Sequence, residues 1–475
     1  MTTAVRPLQG TLPQNAQSTA RPSRRAILTG AAIGIGAIGL GSAITTALAE
    51  AARPDPVRSV TAAFTSSGRR EALDAESAQS LPAQSRVLPN LADPGPARRQ
   101  QEFLAACEPW LRELPVQRRD LAISALLDLW VLSDELPATV AGWAGPWRYV
   151  WPRDTAFSAI ALARIGRPDL AWSQLLFLQS VQAVDGSFAA RVDPTTGMAP
   201  DDRESQFDSL GLVLWAISEV HAVSEASAAP FDLGELDDLL RRTSRRIFDL
   251  TAYGRSLPPV GPDYWEVGES RVSLGLAGPT LVGMNSLTAL TRANPELWSR
   301  LGGDPESVRR AADDYRATFT RTFVANGMQR YPTAGGPDSA IAYLPAAGLV
   351  PNAVDAIYAL EPELLGGVWD RLEQPAGGIK PGHGWIIDRS SWTPSTSLMG
   401  LGFARLGQTE RAESILDWLS AHRTSAGSLP EKITAEGAPV SVAPLSWTAA
   451  NAIITLDELY VRRRGAGSRN HPCFA

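Results

Sequence analysis

Four short stretches concentrate carboxylates, arginines and tryptophans: GPWRYVWPRDTAF at 145–157, ESQFDSLGLVLWAI at 204–217, GPDYWEVGES at 261–270 and GSLPEKITAEG at 427–437. In the third, Glu266 follows Trp265 in a Gly- and Pro-rich loop. A carboxylate against an indole loses solvation and its pKa rises, as a general acid requires. Asp263, three residues earlier, either holds the loop or adds to that rise by charge repulsion. Glu269 reads as a surface residue. In the fourth, Glu431 is the candidate general base. Two such carboxyls can cleave a glycosidic bond, one protonating the leaving oxygen and the other activating water, with about 6.5–9.5 Å between them in an inverting enzyme. Around them, Arg153 and Asp154 could grip sugar hydroxyls, with Trp147, Tyr149 and Trp151 as an aromatic floor. Asp208, beside Gln206, is a further candidate contact.

Each assignment competes with a plainer one. Asp154 fits a first-turn carboxylate, Gln206 and Asp208 fit a helix start, and Glu431 fits an exposed loop residue. Composition narrows the choice. The 475 residues carry a net charge of −6 and no basic stripe, which argues against a nucleic-acid partner. Four scattered histidines form no HExxH motif, and two cysteines cannot make a zinc site, so no metal is expected. There is no Gly-rich strand–helix junction for a cofactor, no Gly-x-Ser-x-Gly elbow and no Ser-His-Asp set. Carboxylate chemistry remains. Fourteen tryptophans within 7% total aromatics suit a protein that meets the apolar faces of sugar rings, although core packing explains any single one equally well. Cys107 and Cys473 are either a disulfide tying down the C-terminal tail or two free thiols.

The elements that must position these residues are helical. From about Gln100 onward, apolar residues recur at 3.6-residue spacing in a succession of segments, with almost no alternating strand signal. Helices end in Gly and restart with Asp, Glu or Pro, as in ARIGRPDLA and ARLGQTERA. The expected class is all-α, an (α/α)6 toroid, with an open solenoid as the alternative; the lack of a fixed repeat length weighs against the solenoid. Long polar loops at one end of the ring would build the site.

Three parts are expected along the chain. Residues 1–49 read as a twin-arginine signal, with Arg24 and Arg25 followed by an apolar run to Ala49 and small residues at the boundary. The protein would then be secreted, with no stable membrane partner unless that run is kept as an anchor. Residues 50–95 read as a linker or an irregular strap, with VRSVTAAFTS as one short strand or helix. Residues 96–475 would be the catalytic domain.

Taken together, the motifs resemble glycoside hydrolase family 15, the glucoamylase family, over roughly Gln100 to Tyr460. YVWPRD resembles the family's sugar-gripping segment, Asp263-Tyr264-Trp265-Glu266 its general-acid segment, and SLPEK followed by LSWTAA its general-base segment. The resemblance implies inverting, exo-acting release of β-glucose from an α-linked gluco-oligosaccharide on an (α/α)6 barrel. It departs at Val267, where fungal members carry a second glutamate, and at GGIKP. There Lys380 stands in place of an arginine pair, offering a point charge instead of a planar fork. With too few N-terminal residues for a β-sandwich, the chain looks less like a raw-starch enzyme and more like short bacterial members acting on small α-1,6 or α-1,4 glucosides such as isomaltose. Two other readings remain: a trehalase-like or other (α/α)6 carbohydrate enzyme, and a non-catalytic secreted sugar-binding protein.

Overall fold

A computed structural model describes residues 59–225, 230–297, 304–349 and 361–462. The expected export segment, the segment PNAVDAIYAL at 351–360, whose apolar spacing predicts a helix, and Cys473 lie outside them. Cys107 is buried on the first helix. None of the described helices is long and apolar enough to cross a membrane.

The helices are α1 (Gly95–Glu113), α2 (Val116–Ser133), α3 (Pro152–Arg164), α4 (Pro168–Val181), α5 (Asp208–Glu225), α6 (Asp237–Leu250), α7 (Leu274–Ala293) and α8 (Pro305–Thr322). They continue with α9 (Tyr343–Ala346, entered through a 3-10 turn at Ser339–Ala342), α10 (Pro362–Leu372), α11 (Thr393–Arg405), α12 (Thr409–Ala421) and α13 (Ser446–Leu456). Most match the segments expected from apolar spacing. The exceptions have local causes. The first turns of α7 carry Gly275, Gly278 and Pro279, poor helix formers that hide its true start. The α9 region is only eight residues with Pro345 inside it, too short to show a period.

Burial sorts the helices into two sets. Every residue of α3 and α13 is buried, as is nearly all of α7 and α11, so these must be covered on all sides. By contrast, α6 and α8 are amphipathic, with apolar stripes such as Leu239, Leu240, Thr243 and Ile247 on α6. The buried set packs in a closed order: α3 on α5, α5 on α7, α7 on α9, α9 on α11, α11 on α13 and α13 back on α3. Further helices pack against this set, α4 on α3, α8 on α7, α12 on α11 and the largely buried α2 on α13. The architecture is all-α and multi-helical, consistent with an (α/α) toroid. One contact needs glycine outright: a Cβ on Gly211 of α5 would stand 1.8 Å from the Pro279 carbonyl oxygen of α7.

Residues 59–92 hold a small antiparallel pair, β1 (Thr61–Phe64) with β2 (Arg70–Leu73). The strand TAAF is buried throughout and so shows no alternation. Its ties to the helical body are buried: Thr61 Oγ1 to Ser428 Oγ at 2.8 Å, Ser59 Oγ to the Ala443 carbonyl at 2.7 Å, and the Arg86–Asp128 ion pair at 2.8 Å. A three-stranded sheet, β3 (Ser391–Trp392), β4 (Lys432–Ile433) and β5 (Pro439–Val440), links the loop before α11 to the loop before α13.

Candidate active site

The loops leading into α3, α5, α7, α11 and α13 converge on a pocket of about 240 Å³. Glu266 and Glu431 both line it, together with Arg153, Asp154 and six tryptophans: Trp147, Trp151, Trp265, Trp385, Trp392 and Trp447.

Glu266 is placed by a turn that its own segment builds. The Asp263 side chain accepts from the Trp265 amide at 2.9 Å, and the Asp263 carbonyl accepts from the Glu266 amide at 2.8 Å. That closure puts Glu266 at φ 55°, the left-handed region that a non-glycine residue adopts at a cost. The turn is braced from beneath. Asp263, fully buried, also accepts from Ser273 Oγ at 2.6 Å and from Arg330 Nη2 at 3.2 Å. Tyr264 donates to Asp338 at 2.6 Å. Trp265 lies over Arg330, the guanidinium carbon 3.4 Å from the ring centroid. Gly382 makes room, since a Cβ there would meet the Trp265 ring at 2.5 Å. Asp263 is therefore a turn former and a partner of Arg330, and does not line the pocket. The expected surface residue Glu269 is instead a buried partner of Arg330 and of the Tyr331 hydroxyl, the latter at 2.7 Å.

The Glu266 carboxylate faces two guanidiniums, with Arg153 Nη2 at 3.4 Å from Oε1 and Arg203 Nη1 at 3.0 Å from Oε2. Arg153, at the start of α3, is also fixed by Gln206 Oε1 and Asp208 Oδ2, each at 2.8 Å from Nη1. Burial opposes its charge, but Asp208 and Asp154 outweigh that and raise its pKa further. Asp208 thus works through Arg153 and does not itself line the pocket. Asp154 does line it. Burial pushes its carboxyl up to about 7, Arg153 at 3.8 Å pulls the other way, and the carboxylates of Glu266 and Asp208 add to the rise.

Glu431 enters from the opposite loop. Its amide donates to the Val442 carbonyl at 2.8 Å and its carbonyl accepts from the Thr393 amide at 3.0 Å, which fixes it at the edge of the small sheet. Its carboxylate accepts from Trp147 Nε1 at 3.0 Å and from the Ser441 hydroxyl.

Besides Asp208 and Asp263, two further expected sugar contacts are placed elsewhere. The Lys380 ammonium donates to the carbonyls of His383 and Trp385, at 3.1 and 3.3 Å, and does not line the pocket. It holds the loop that presents Trp385. Tyr149 also lies outside the lining; the Arg191 guanidinium sits 4.6 Å from its ring centroid and 5.2 Å from that of Trp151. Pocket residues that motif reading passed over include Arg191, Arg203, Trp385 and Trp392, whereas Trp447 stands in the LSWTAA segment. The high tryptophan count, 14 beside 12 phenylalanines and 8 tyrosines, was the signal for Trp385 and Trp392. Among the described residues, the indole N–H groups of Trp151, Trp265, Trp385, Trp392 and Trp447 have no hydrogen-bond partner in the protein. No group of three or more His, Cys, Asp or Glu among the described residues is placed to hold a metal ion.

Neither a protein-family model nor a curated protein matches the sequence. Solved structures do match the fold. A glutamate-to-alanine variant of a glycosidase in complex with glucose aligns at 19% identity and TM-score 0.58, covering 72% of this chain and 98% of that one. The glucoamylase from Saccharomycopsis fibuligera aligns at 11% identity and TM-score 0.57, covering 76% and 96%. A glycoside hydrolase family 15 glucoamylase from Hypocrea jecorina aligns at 14% identity and TM-score 0.55, covering 76% and 72%.

Proposed function

We propose that the protein is an inverting, exo-acting α-glucosidase of the glucoamylase type, built on a six-hairpin (α/α)6 barrel and acting on small α-1,6- or α-1,4-linked gluco-oligosaccharides. The observation that carries this reading is the meeting of Glu266 and Glu431, from loops 165 residues apart in sequence, in one tryptophan-lined pocket. The glucose found with a protein of similar fold supports the same substrate class.

In this reading Asp154 and Arg153 hold the terminal glucose. Glu266 gives its proton to the glycosidic oxygen as the C1–O bond breaks. Glu431 takes a proton from water as the water oxygen bonds to C1 on the opposite face, so the product is β-glucose. Trp147 and Ser441 fix the orientation of Glu431 for that step. The test is glucose release from isomaltose, maltose and trehalose by the unaltered protein and by Glu266→Gln and Glu431→Gln. Release from isomaltose or maltose, abolished in both variants, supports the reading. Release from trehalose alone would favour a trehalase, and no release from any of the three a sugar-binding protein.

We further propose that residues 1–49 direct export by the twin-arginine route, with residues 50–95 as a strap and 96–475 as the catalytic domain.

A further inference from the structure

Both oxygens of Glu266 accept from guanidiniums, yet an oxygen that passes its proton to a leaving group must be free to face it. The two arginines are held very differently. Arg153 is 3% exposed and bonded to Gln206 and Asp208. Arg203 is 23% exposed, lines the pocket, and has Asp201 as its other partner at 3.0 Å. Asp201 in turn accepts from Arg191 at 2.7 Å, and Arg191 packs over Trp151. The segment from Arg191 to Arg203 is thus stapled to the aromatic wall, and it ends in one cation that reaches the outer oxygen of Glu266.

We infer that Arg203 is the positioning and specificity residue of the leaving-group side. In the resting pocket its guanidinium holds Oε2 of Glu266. When a leaving sugar enters, it shifts onto the hydroxyls of that sugar and frees Oε2 to take up a proton from solvent and face the glycosidic oxygen. The inference rests on Glu266 being the general acid. The step balances. Glu266 loses a proton to the glycosidic oxygen, the C1–O bond breaks with its electron pair on that oxygen, and the water proton goes to Glu431. Glu266 is then an anion, and Arg203 returns to it as the sugar departs. A guanidinium N–H can bond a carboxylate oxygen or a sugar hydroxyl, so Nη1 can exchange one for the other while Nε stays on Asp201.

The test compares two substrates: the disaccharide that the unaltered protein cleaves best, and α-glucosyl fluoride. The fluoride carries no leaving sugar, and its C–F bond breaks without a proton from the acid. In Arg203→Met, kcat/KM for the disaccharide should fall at least about tenfold more than for the fluoride, the size expected for losing a hydrogen bond to a charged group. Arg203→Lys should recover part of the difference, and Asp201→Asn should shift the same ratio in the same direction. Equal losses on both substrates in Arg203→Met would overturn the inference and leave the function standing. Failure of the unaltered protein to cleave either substrate would remove the general-acid role of Glu266 and the inference with it.

Discussion

Arg330 lies flat beneath Trp265 while its guanidinium pairs with three carboxylates, Asp263 and Asp338 at 3.2 and 2.8 Å and Glu269 beside them. One buried cation therefore supports the whole turn that carries Glu266. Asp263 shapes the turn, Asp338 receives Tyr264, and Trp265 is stacked in place. Burial opposes the charge of Arg330, and its carboxylate partners outweigh that cost and hold it firmly protonated.

Replacing Arg330 with Met should be among the most damaging single changes in the protein, because it strands buried carboxylates. Breaking such a cluster typically costs about 3–5 kcal/mol. Chemical denaturation should show a loss of this size. Arg330→Lys should recover only part of it, since one ammonium cannot serve three carboxylates and a ring face together. A loss below about 1 kcal/mol, the range of exposed ion pairs, would mean the cluster does not support the turn.

Asp154 makes stability depend on pH in a defined direction. Its folded carboxyl is raised to about 7 from a reference of 3.8. Between those values the unfolded chain has lost the proton that the folded protein keeps. The folded state binds more protons there, so this group lowers stability as pH rises from about 4 to about 7, by on the order of 1.4 kcal/mol per pH unit. Asp154→Asn should remove that contribution. Denaturation midpoints of the two proteins, measured across this range, should diverge in favour of the variant as pH rises. Parallel curves would contradict the assignment.

Glu219 on α5 should behave in the opposite sense. It accepts from Arg164, and Arg405 and Arg462 stand at 3.8 and 3.5 Å. Burial works against its charge, but the three arginines outweigh it and hold the carboxyl well below the usual range. Its stabilisation is present above the ordinary glutamate pKa of about 4.3 and is lost as pH falls toward the depressed folded value. Glu219→Gln should destabilise the protein by about 3–5 kcal/mol at neutral pH. The difference should shrink in acid. A pH-independent difference would show that lost packing, not lost charge, is responsible.

What was legible in the sequence was whatever repeats or sits beside a strong local signal. The long helices declared themselves by spacing, Arg153-Asp154 by its place beside aromatics at a loop–helix junction, and Trp265-Glu266 by its place in a Gly- and Pro-rich loop. What was not legible depends on where a side chain points after the chain has closed on itself. Lys380 has the charge a sugar contact needs, but its ammonium turns back onto the carbonyls of its own loop. Asp263 stands three residues from Glu266, yet its carboxylate faces Ser273 and Arg330. Glu269 looked like surface because its partners, Arg330 and Tyr331, are more than sixty residues away. Arg191 and Arg203 lie in a polar loop that reads as solvated, and only the fold brings them to the pocket.

The stereochemistry of the first product bears most directly on the central claim. Proton NMR of a fresh digest of isomaltose or maltose, followed before mutarotation equilibrates the anomers, reports which face of C1 the water attacked. With Glu266 as acid and Glu431 as base, the first glucose to appear is the β-anomer, and the α-anomer grows in only by mutarotation. Initial appearance of α-glucose would mean retention through a covalent intermediate, contradicting the roles assigned to Glu266 and Glu431.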